Sequence, residues 1–304
     1  MSGMRWLLLF FPLAVLAELL HWGDLLVFAT AALAIIPIAG LLGEATEALA
    51  ARSGPQVGGL LNASLGNAAE LIITLIAINA GRIELVKASI IGSILGNLLF
   101  VLGLSILAGG LKHGVQQFHR ERVARAPTVG APAADVLRLP SFFNELIEPD
   151  TVRVELLSLT TAGVVLLLYL LSIFYALRMP RSETESDPEF EPEHSGPAWS
   201  LQRTLLVMAA SVAGLAVMSE FLVGSLESVT TAFGLTEFFV GIIIVPIIGN
   251  VAEHLVAVQV ALKNQMDLSL SIALGSSLQI ALFVAPLLVF LSLFFGHPLT
   301  LEFN

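Results

Sequence analysis

The chain has 304 residues, of which 56% are hydrophobic and only 12% are charged, and its mean hydropathy is +0.89. Soluble domains carry about 25% charged residues, so this composition predicts an all-α integral membrane protein with lipid as a partner. The net charge of −10 argues against nucleic acid as a partner, and the absence of cysteine excludes disulfides, thiolate metal sites and cysteine nucleophiles.

The apolar runs predict a multi-pass helical bundle. Residues 5–20 predict an N-terminal helix within the segment 1–23, which is either a signal peptide or a retained membrane span. We favour the retained span because no clean cleavage site follows it. Later apolar runs predict further spans, at residues 24–50, 57–80, 85–111, 154–178, 201–223, 238–262 and 268–295. They are too long and too continuous for the strands of an outer-membrane barrel.

Basic residues predict which loops face the cytoplasm. Residues 112–125 are rich in Lys and Arg, and arginines flank the loop 179–200. Clustered positive charge beside a span marks the cytoplasmic side, so both loops are predicted to be cytoplasmic. Two such loops require an even number of crossings between them, and 154–178 supplies only one. The polar stretch 126–147 is therefore expected to cross as well. As a poor span, it could instead lie re-entrant or be absent as a helix. If it does not cross, the repeats described below would be parallel.

An acidic cytoplasmic linker, residues 179–200, is predicted to join a first half at 24–178 to a second half at 201–304. Six acids occupy alternate positions from Glu183 to Glu193. One interpretation is a solvated, disordered connection, and the other is a weak cation-collecting surface.

The two halves contain an internal duplication in which every match has the same sequence offset. Residues 66–70, Gly-Asn-Ala-Ala-Glu, match residues 249–253, Gly-Asn-Val-Ala-Glu, and Gly-Ser at 92–93 matches Gly-Ser at 275–276. Generic apolar composition does not align Gly, Asn, Glu and Ser at one offset. A duplication of this kind is typical of transporters that are built from repeats.

Glu70 and Glu253 occupy matched positions inside two of the predicted membrane helices. A carboxylate at membrane depth costs several kcal/mol unless it is paired, hydrated or protonated. A lone glutamate could be a structural contact between helices, but a matched pair in a duplication predicts a functional site.

The residues around the two acids predict an oxygen-rich cation site. Asn67 and Asn250 add amide oxygens, while the small residues Gly66 and Gly249 let two helices approach closely. Pro246 is expected to loosen the turn before Gly249 and to free carbonyl oxygens. Oxygen ligands without sulfur suit a hard divalent cation such as Ca²⁺. In an empty site the two carboxylates would repel each other, so protons are expected to replace the metal.

Further polar residues are candidates for a proton and cation pathway to this site. Ser93 and Asn97 share a face of one predicted span, and Ser276 and Gln279 share a face of another. The other candidates lie near span ends or adjoin a candidate acid: Glu44, Glu47, Glu227 and His254. Each serine could instead bond back to its own helix, and His254 could sense protons or simply fill a contact. The offset of the duplication also places Glu44 on Glu227.

These motifs resemble the calcium/proton exchanger family of the cation/calcium antiporter superfamily. The similar stretches lie at residues 43–47, 58–63, 66–72, 249–254 and 275–279. The resemblance implies two inverted five-helix repeats with an additional N-terminal helix and an acidic segment between the halves. It also implies that Glu70 and Glu253 are the central ion-binding acids and that Ca²⁺ leaves the cytoplasm in exchange for protons. We expect no cofactor beyond these transported ions, and a place in a prokaryotic inner membrane.

The chain also departs from the family pattern, which has two more helices after residue 304, so we expect a shortened exchanger with an incomplete second half. Our first functional hypothesis is a secondary active transporter that exchanges Ca²⁺ or a similar divalent cation for protons. The alternative is a non-transporting, truncated remnant. An intramembrane metal-dependent hydrolase is disfavoured, because neither His-Glu-x-x-His nor Gly-x-Ser-x-Gly occurs, so we expect a protein that is not an enzyme.

Overall fold

The computed structural model describes residues 2–119, 141, 151–178 and 199–303. The regular elements in these ranges are all helices. Six of them are long and apolar enough to cross a membrane: Asp24–Arg52, Ile83–His113, Arg153–Tyr175, Leu201–Gly224, Glu237–Leu262 and Met266–Phe295. The predicted all-α membrane protein is confirmed. The stretch 126–147, apart from Ser141, and the acids of the predicted linker lie outside the described residues.

We number the helices in chain order. They are α1 (Phe10–Leu19, after a 3-10 segment Ser2–Leu9), α2 (Asp24–Arg52), α3 (Gly54–Leu65), α4 (Ala68–Asn79), α5 (Ile83–Leu95), α6 (Leu102–His113), α7 (Thr151–Arg178), α8 (Leu201–Gly224), α9 (Leu226–Phe233), α10 (Glu237–Phe239), α11 (Val245–Leu262), α12 (Met266–Gln279) and α13 (Ala285–Ser292). A 3-10 turn, Leu293–Phe295, follows α13.

Two predicted spans differ from the observed helices. The span predicted at 57–80 is wrong as a single helix, because a turn at Gly66 and Asn67 divides it into α3 and α4. The N-terminal segment predicted at 5–20 is helical, but it combines the 3-10 segment with α1 and is not among the six long helices.

Short π-helical segments join several consecutive helices. Gly96–Val101 joins α5 to α6, and Ile280–Val284 joins α12 to α13, at nearly equivalent places in the duplication. A third segment, Val240–Ile244, precedes α11 and places Pro246 in that helix's first turn. A proline is tolerated there because the first turn needs no backbone donor. We expected the helix to be loosened between Pro246 and Gly249. The irregular, π-helical part instead lies before Pro246.

One end of the bundle, which we call the acidic face, carries Asp24, Glu227, Glu237 and Glu302. There Arg82, between α4 and α5, binds Glu237 Oε1 at 2.5 Å and Glu227 Oε2 at 3.2 Å. The Ser228 hydroxyl binds Asp24 at the start of α2. The chain after α13 also lies here, since Leu301 N donates to Ser158 Oγ of α7 at 3.0 Å.

The opposite end, the basic face, carries Arg52, Lys112, Arg203 and Lys263. Arg52 at the end of α2 donates to the carbonyl of Trp199, just before α8. Lys112 Nζ at the end of α6 donates to Leu262 O at the end of α11, at 3.0 Å. His119 Nδ1 lies 2.7 Å from Asp267 Oδ2 at the start of α12. The positive-inside rule predicts that this face is the cytoplasmic one.

These contacts fix the directions of the duplicated helices. The α3–α4 segment runs from the basic to the acidic face, whereas its counterpart, α10 to α11, runs from the acidic to the basic face. The repeats are therefore inverted, as expected. The chain is at the basic face at His119, while Ser158, near the start of α7, is near the acidic face. Ser141, inside the stretch predicted to cross, also lies near the acidic face, where its hydroxyl accepts from Phe303 N at 2.9 Å.

The repeats cross very closely at two glycines. A Cβ on Gly92 of α5 would collide with the backbone carbonyl of Ile242, and one on Gly241 would lie 2.7 Å from Leu85 O. Side chains larger than hydrogen would force the two helices apart. This close crossing brings the motif of each repeat next to the motif of the other.

Candidate ion-binding site

Glu70 lies in the first turn of α4, because the turn at Gly66 and Asn67 starts a new helix there. Its side chain is 5% exposed. The N-terminal end of a helix carries a partial positive charge that favours a nearby carboxylate. Glu70 Oε1 accepts a hydrogen bond of 2.6 Å from Asn250 Nδ2 of the second repeat. Glu70 Oε2 is buried and has no hydrogen-bond partner among the described residues.

Ser93 and Gly249 complete the surroundings of Glu70. The same Asn250 amide lies 3.3 Å from Ser93 Oγ, and the Ser93 hydroxyl is also near Glu70. A Cβ on Gly249 would lie 3.5 Å from Glu70 Cγ, so the α11 backbone packs directly on this acid. The first acid is thus held by residues of both repeats.

Glu253 lies on α11, and Ser276 of α12 is near its carboxylate. Ser276 Oγ also accepts a hydrogen bond of 2.9 Å from Asn97 Nδ2. Glu253 is close enough to Glu70 for their charges to interact. Like Glu70, it has a buried Oε2 without a hydrogen-bond partner in the described part of the chain.

Asn67 closes the other side of the site. Its Nδ2 donates to Gln279 Oε1 at 2.7 Å, and its Oδ1 is buried without a partner among the described residues. A Cβ on Gly66 would lie 3.9 Å from the same Gln279 oxygen. The amide of Asn67 is therefore oriented with its nitrogen on Gln279 and its oxygen left for another partner.

The structure brings together ten of the predicted residues, six from the motifs and four from the predicted pathway. They are Gly66, Asn67, Glu70, Ser93, Asn97, Gly249, Asn250, Glu253, Ser276 and Gln279. Within the described ranges, no three side chains of His, Cys, Asp or Glu cluster together. The site therefore offers two carboxylates with neutral amide and hydroxyl groups.

The other predicted pathway residues lie apart from this cluster. Glu44 pairs with Arg5 at 3.1 Å on the half of α2 next to the basic face, and Glu47 is exposed one turn further on. Glu227 is exposed at the acidic face. The matched pair Glu44 and Glu227 thus lies near opposite ends of the bundle, as inverted repeats require. His254 is buried beside the ring of Phe100, at a centroid distance of 6.5 Å, and its Nε2 has no partner in the described ranges.

The site is only partly symmetric. The offset of the duplication exchanges Glu70 with Glu253, Asn67 with Asn250 and Ser93 with Ser276. It places Asn97 on an isoleucine, however, and Gln279 on a glycine. The two amides at these unmatched positions therefore make contacts, to Ser276 and to Asn67, that have no counterpart in the other repeat.

Sequence reasoning missed the close crossing at Gly92 and Gly241 and the ion pairs of Arg82. Both glycines belong to matched pairs in the duplication, and small residues at matched positions could have indicated a crossing. Hydrogen bonding to Glu227, with a further contribution from Glu237, raises the pKa of Arg82. Arg82 is one charged residue in a short loop, and no sequence signal identified its partners.

Comparison with known proteins places this chain in a family. The family model for the sodium/calcium exchanger protein matches residues 24–178 and 203–304. A Ca²⁺/H⁺ antiporter of Aphanothece halophytica is 44% identical, over 98% of this chain and 83% of the relative. A Ca²⁺/H⁺ antiporter of Bacillus subtilis is 40% identical, over 96% of this chain and 84% of the relative. The crystal structure of the Ca²⁺/H⁺ antiporter protein YfkE matches with a TM-score of 0.84 and 36% identity, over 100% of this chain and 86% of that one.

The chain spans more than four-fifths of each of these relatives, so the alignments do not bear out the alternative of a truncated, non-transporting remnant. They also agree with the resemblance that the motifs around Glu70 and Glu253 indicated. The chain belongs to the sodium/calcium exchanger protein family, and within it to the Ca²⁺/H⁺ exchangers of the cation/calcium superfamily.

Proposed function

We propose that this protein exchanges Ca²⁺, or a similar divalent cation, for protons, and that Glu70 and Glu253 bind both ions at one shared site. The observation that carries this proposal is a set of three buried oxygens: Glu70 Oε2, Glu253 Oε2 and Asn67 Oδ1 lack hydrogen-bond donors among the described residues. Buried polar atoms normally have a partner. Two carboxylate oxygens and one amide oxygen are ligands that a hard divalent cation prefers.

The charges of the site support exchange rather than simple binding. Two carboxylates neutralise one divalent cation, and in its absence they face each other in a medium of low dielectric constant. Protonation of Glu70 and Glu253 removes that repulsion, so binding of the cation requires departure of the protons. Metal and protons therefore compete for the same oxygens, and competition at one site is sufficient to couple their opposite movements.

Asn250 and Ser276 position the acids for either ion. Asn250 Nδ2 binds Glu70 Oε1, which leaves Oε2 as the oxygen for a cation or a proton. The Ser276 hydroxyl is held by Asn97 and lies within reach of Glu253. Hydroxyls and amides can bond to a carboxylate in both of its protonation states, so these neighbours need not leave when the ion changes.

The experiment is transport by the purified protein in sealed vesicles. Radiolabelled Ca²⁺ is added outside vesicles with an acidic lumen, and uptake is compared with vesicles whose pH gradient has been collapsed by an ionophore that exchanges K⁺ for H⁺. We expect uptake to require the pH gradient and to alkalinise the lumen. Equal uptake with and without the gradient would overturn exchange and leave a channel or a passive carrier.

A further inference from the structure

Two buried serines between the site and the basic face have hydroxyls that find no hydrogen-bond partner in the part of the chain that the structure describes. Ser105 on α6 and Ser269 on α12 are both 0% exposed, and neither hydroxyl has a partner among the described residues. Serine and threonine in membrane helices usually bond back to a carbonyl of their own helix, as Thr74 and Ser277 do here. Buried hydroxyls rarely remain unpaired. We therefore expect both hydroxyls to bind a group such as water.

The register of the two helices predicts that these serines lie at the same level of the bundle. The long helix of α5 and α6 runs towards the basic face, and α12 runs away from it. Asn97 bonds to Ser276 across this antiparallel pair, and Leu102 packs against the cluster that contains Leu270. Continuing the same register by less than one turn brings Ser105 level with Ser269.

Along their helices, both serines lie between the site and the basic face. Ser276, at one end, is within reach of Glu253. Asp267, at the other, is 8% exposed and binds His119, whose side chain is 72% exposed. Nine residues separate Ser276 from Asp267 along α12, which at 1.5 Å per residue is about 13 Å. Ser105 and Ser269 lie inside this interval.

We propose that Ser105 and Ser269 hold a chain of water that conducts protons between Glu253 and the basic face at Asp267. Each hydroxyl accepts a proton from the water on one side while it gives its own proton to the water on the other, so no charge remains on the serine. Waters that bridge two buried polar groups are common where each finds two or more partners. This proposal rests on the proposed exchange function.

The same path does not suit the cation. Between Ser276 and Asp267 the two helices present neutral hydroxyls and apolar side chains such as Leu102 and Leu270. A divalent cation needs six or more oxygen ligands at about 2.4 Å, whereas a proton needs only a continuous line of hydrogen bonds. Ser105 and Ser269 are therefore suited to conduct protons and not to pass the cation.

Two flux measurements distinguish the delivery of protons from the other steps of transport. Proton-driven Ca²⁺ uptake needs protons to reach the site. Exchange of unlabelled for radiolabelled Ca²⁺ at equal pH on both sides of the vesicle needs only binding and reorientation of the loaded protein. The test compares the variant with Ser105→Ala and Ser269→Ala together against the matched control Ser219→Ala. Ser219 is also 0% exposed with an unpartnered hydroxyl among the described residues, but it lies on α8.

We expect the double variant to lose about tenfold in proton-driven uptake, because positioned proton transfer steps contribute factors of this size or more. Its Ca²⁺ self-exchange should stay within about twofold of the unaltered protein, and its solvent isotope effect should rise as proton delivery becomes limiting. The control should change neither flux. If the double variant aggregates, the same two fluxes are measured in each single variant.

Two results would overturn the proton path: normal proton-driven uptake in the folded variant, or an equal fall of both fluxes, which would mean that the serines only support the structure. The same two fluxes in the unaltered protein distinguish failure of the proton path from failure of the proposed exchange function. If it shows self-exchange but no proton-driven uptake, then exchange itself is wrong, whatever the serines do.

Discussion

Asn250 of the second repeat donates a hydrogen bond of 2.6 Å to Glu70 of the first, so the second half of the chain orients an acid that the first half carries. Asn67, its counterpart, binds Gln279 instead of an acid. Although the duplication superposes these two asparagines, they have different chemical tasks. Asn250 fixes a carboxylate, whereas Asn67 presents its own oxygen.

Substitution of Asn250 tests this difference. In Asn250→Ala, Glu70 Oε1 loses its donor in a buried environment, which costs about 1–3 kcal/mol. We expect the apparent affinity for Ca²⁺, measured as the concentration for half-maximal proton-driven uptake, to weaken by about tenfold or more, at about 1.4 kcal/mol per tenfold. The comparison is Asn67→Ala, which removes one neutral ligand and should weaken affinity less. An equal effect of both substitutions would contradict separate tasks for the two asparagines.

Gly92 allows the repeats to approach, and its substitution should damage the fold rather than the chemistry. A Cβ there would collide with the carbonyl of Ile242, which is backbone and cannot rotate away. We expect Gly92→Ala to destabilise the protein by about 1–3 kcal/mol and to lower the midpoint of thermal unfolding in detergent.

Gly103 on the same long helix is the matched control, since nothing lies within 4 Å of a Cβ at that position. Gly103→Ala should be neutral or stabilise the helix by up to about 1 kcal/mol. Equal midpoints for the two variants would show that the crossing at Gly92 is looser than the structure indicates.

The duplication made the chemical part of the site predictable. Glu70, Glu253 and the two asparagines share one offset, and carboxylates at membrane depth are costly enough to require a function. Ser93 and Ser276 follow by the same argument. Asn97 and Gln279 were found by their spacing from these serines, although their contacts to Ser276 and Asn67 could not be read from sequence.

The backbone around the site was less predictable. Pro246 indicated that the helix of the second repeat would be interrupted at its motif. The interruption instead occurs in the first repeat, as a turn at Gly66 and Asn67. The π-helical segment Val240–Ile244 ends just before Pro246, and α11 is continuous through Gly249. Whether glycine or proline interrupts a helix depends on the neighbours that pair the freed backbone groups, and these come from distant parts of the chain.

Arg82 joins the repeats at the acidic face, and its contribution should be modest. Its side chain is 29% exposed, and its partners Glu227 and Glu237 are 78% and 25% exposed. Exposed ion pairs contribute about 0.2–1 kcal/mol each, so Arg82→Gln should lower the free energy of unfolding by roughly that amount per pair. A double-mutant cycle with Glu237→Gln measures the coupling, and strictly additive losses would show that the pair contributes nothing.

The assignment of faces can be tested by labelling, because the natural chain has no cysteine. Single cysteines at Gln117 and Lys263, on the basic face, should react with a membrane-impermeant maleimide only from the cytoplasmic side. A cysteine at Thr231, which is exposed on α9 at the acidic face, should react only from the outside. Reaction of Gln117 and Thr231 from the same side would contradict the inverted arrangement of the repeats.

The two acids allow the most direct test of a shared site. Glu→Gln preserves the shape and one oxygen of the side chain but removes its charge and its titrating proton. If one acid alone bound the cation, substitution of the other would have a mild effect. If Glu70 and Glu253 share one divalent cation, either substitution leaves a single negative charge to balance two positive ones. Coulomb energies there reach several kcal/mol even at an effective dielectric constant of about 20.

We therefore expect Glu70→Gln and Glu253→Gln each to abolish measurable proton-driven Ca²⁺ flux in protein that is folded and inserted. Ser93→Ala, which removes only a neutral neighbour of Glu70, is the matched control. Since a neutral hydrogen bond contributes about 1 kcal/mol, it should retain flux at reduced apparent affinity. Near-normal flux in either glutamine variant would mean that one acid is sufficient for transport, and the mechanism of competition between one cation and two protons would then be wrong.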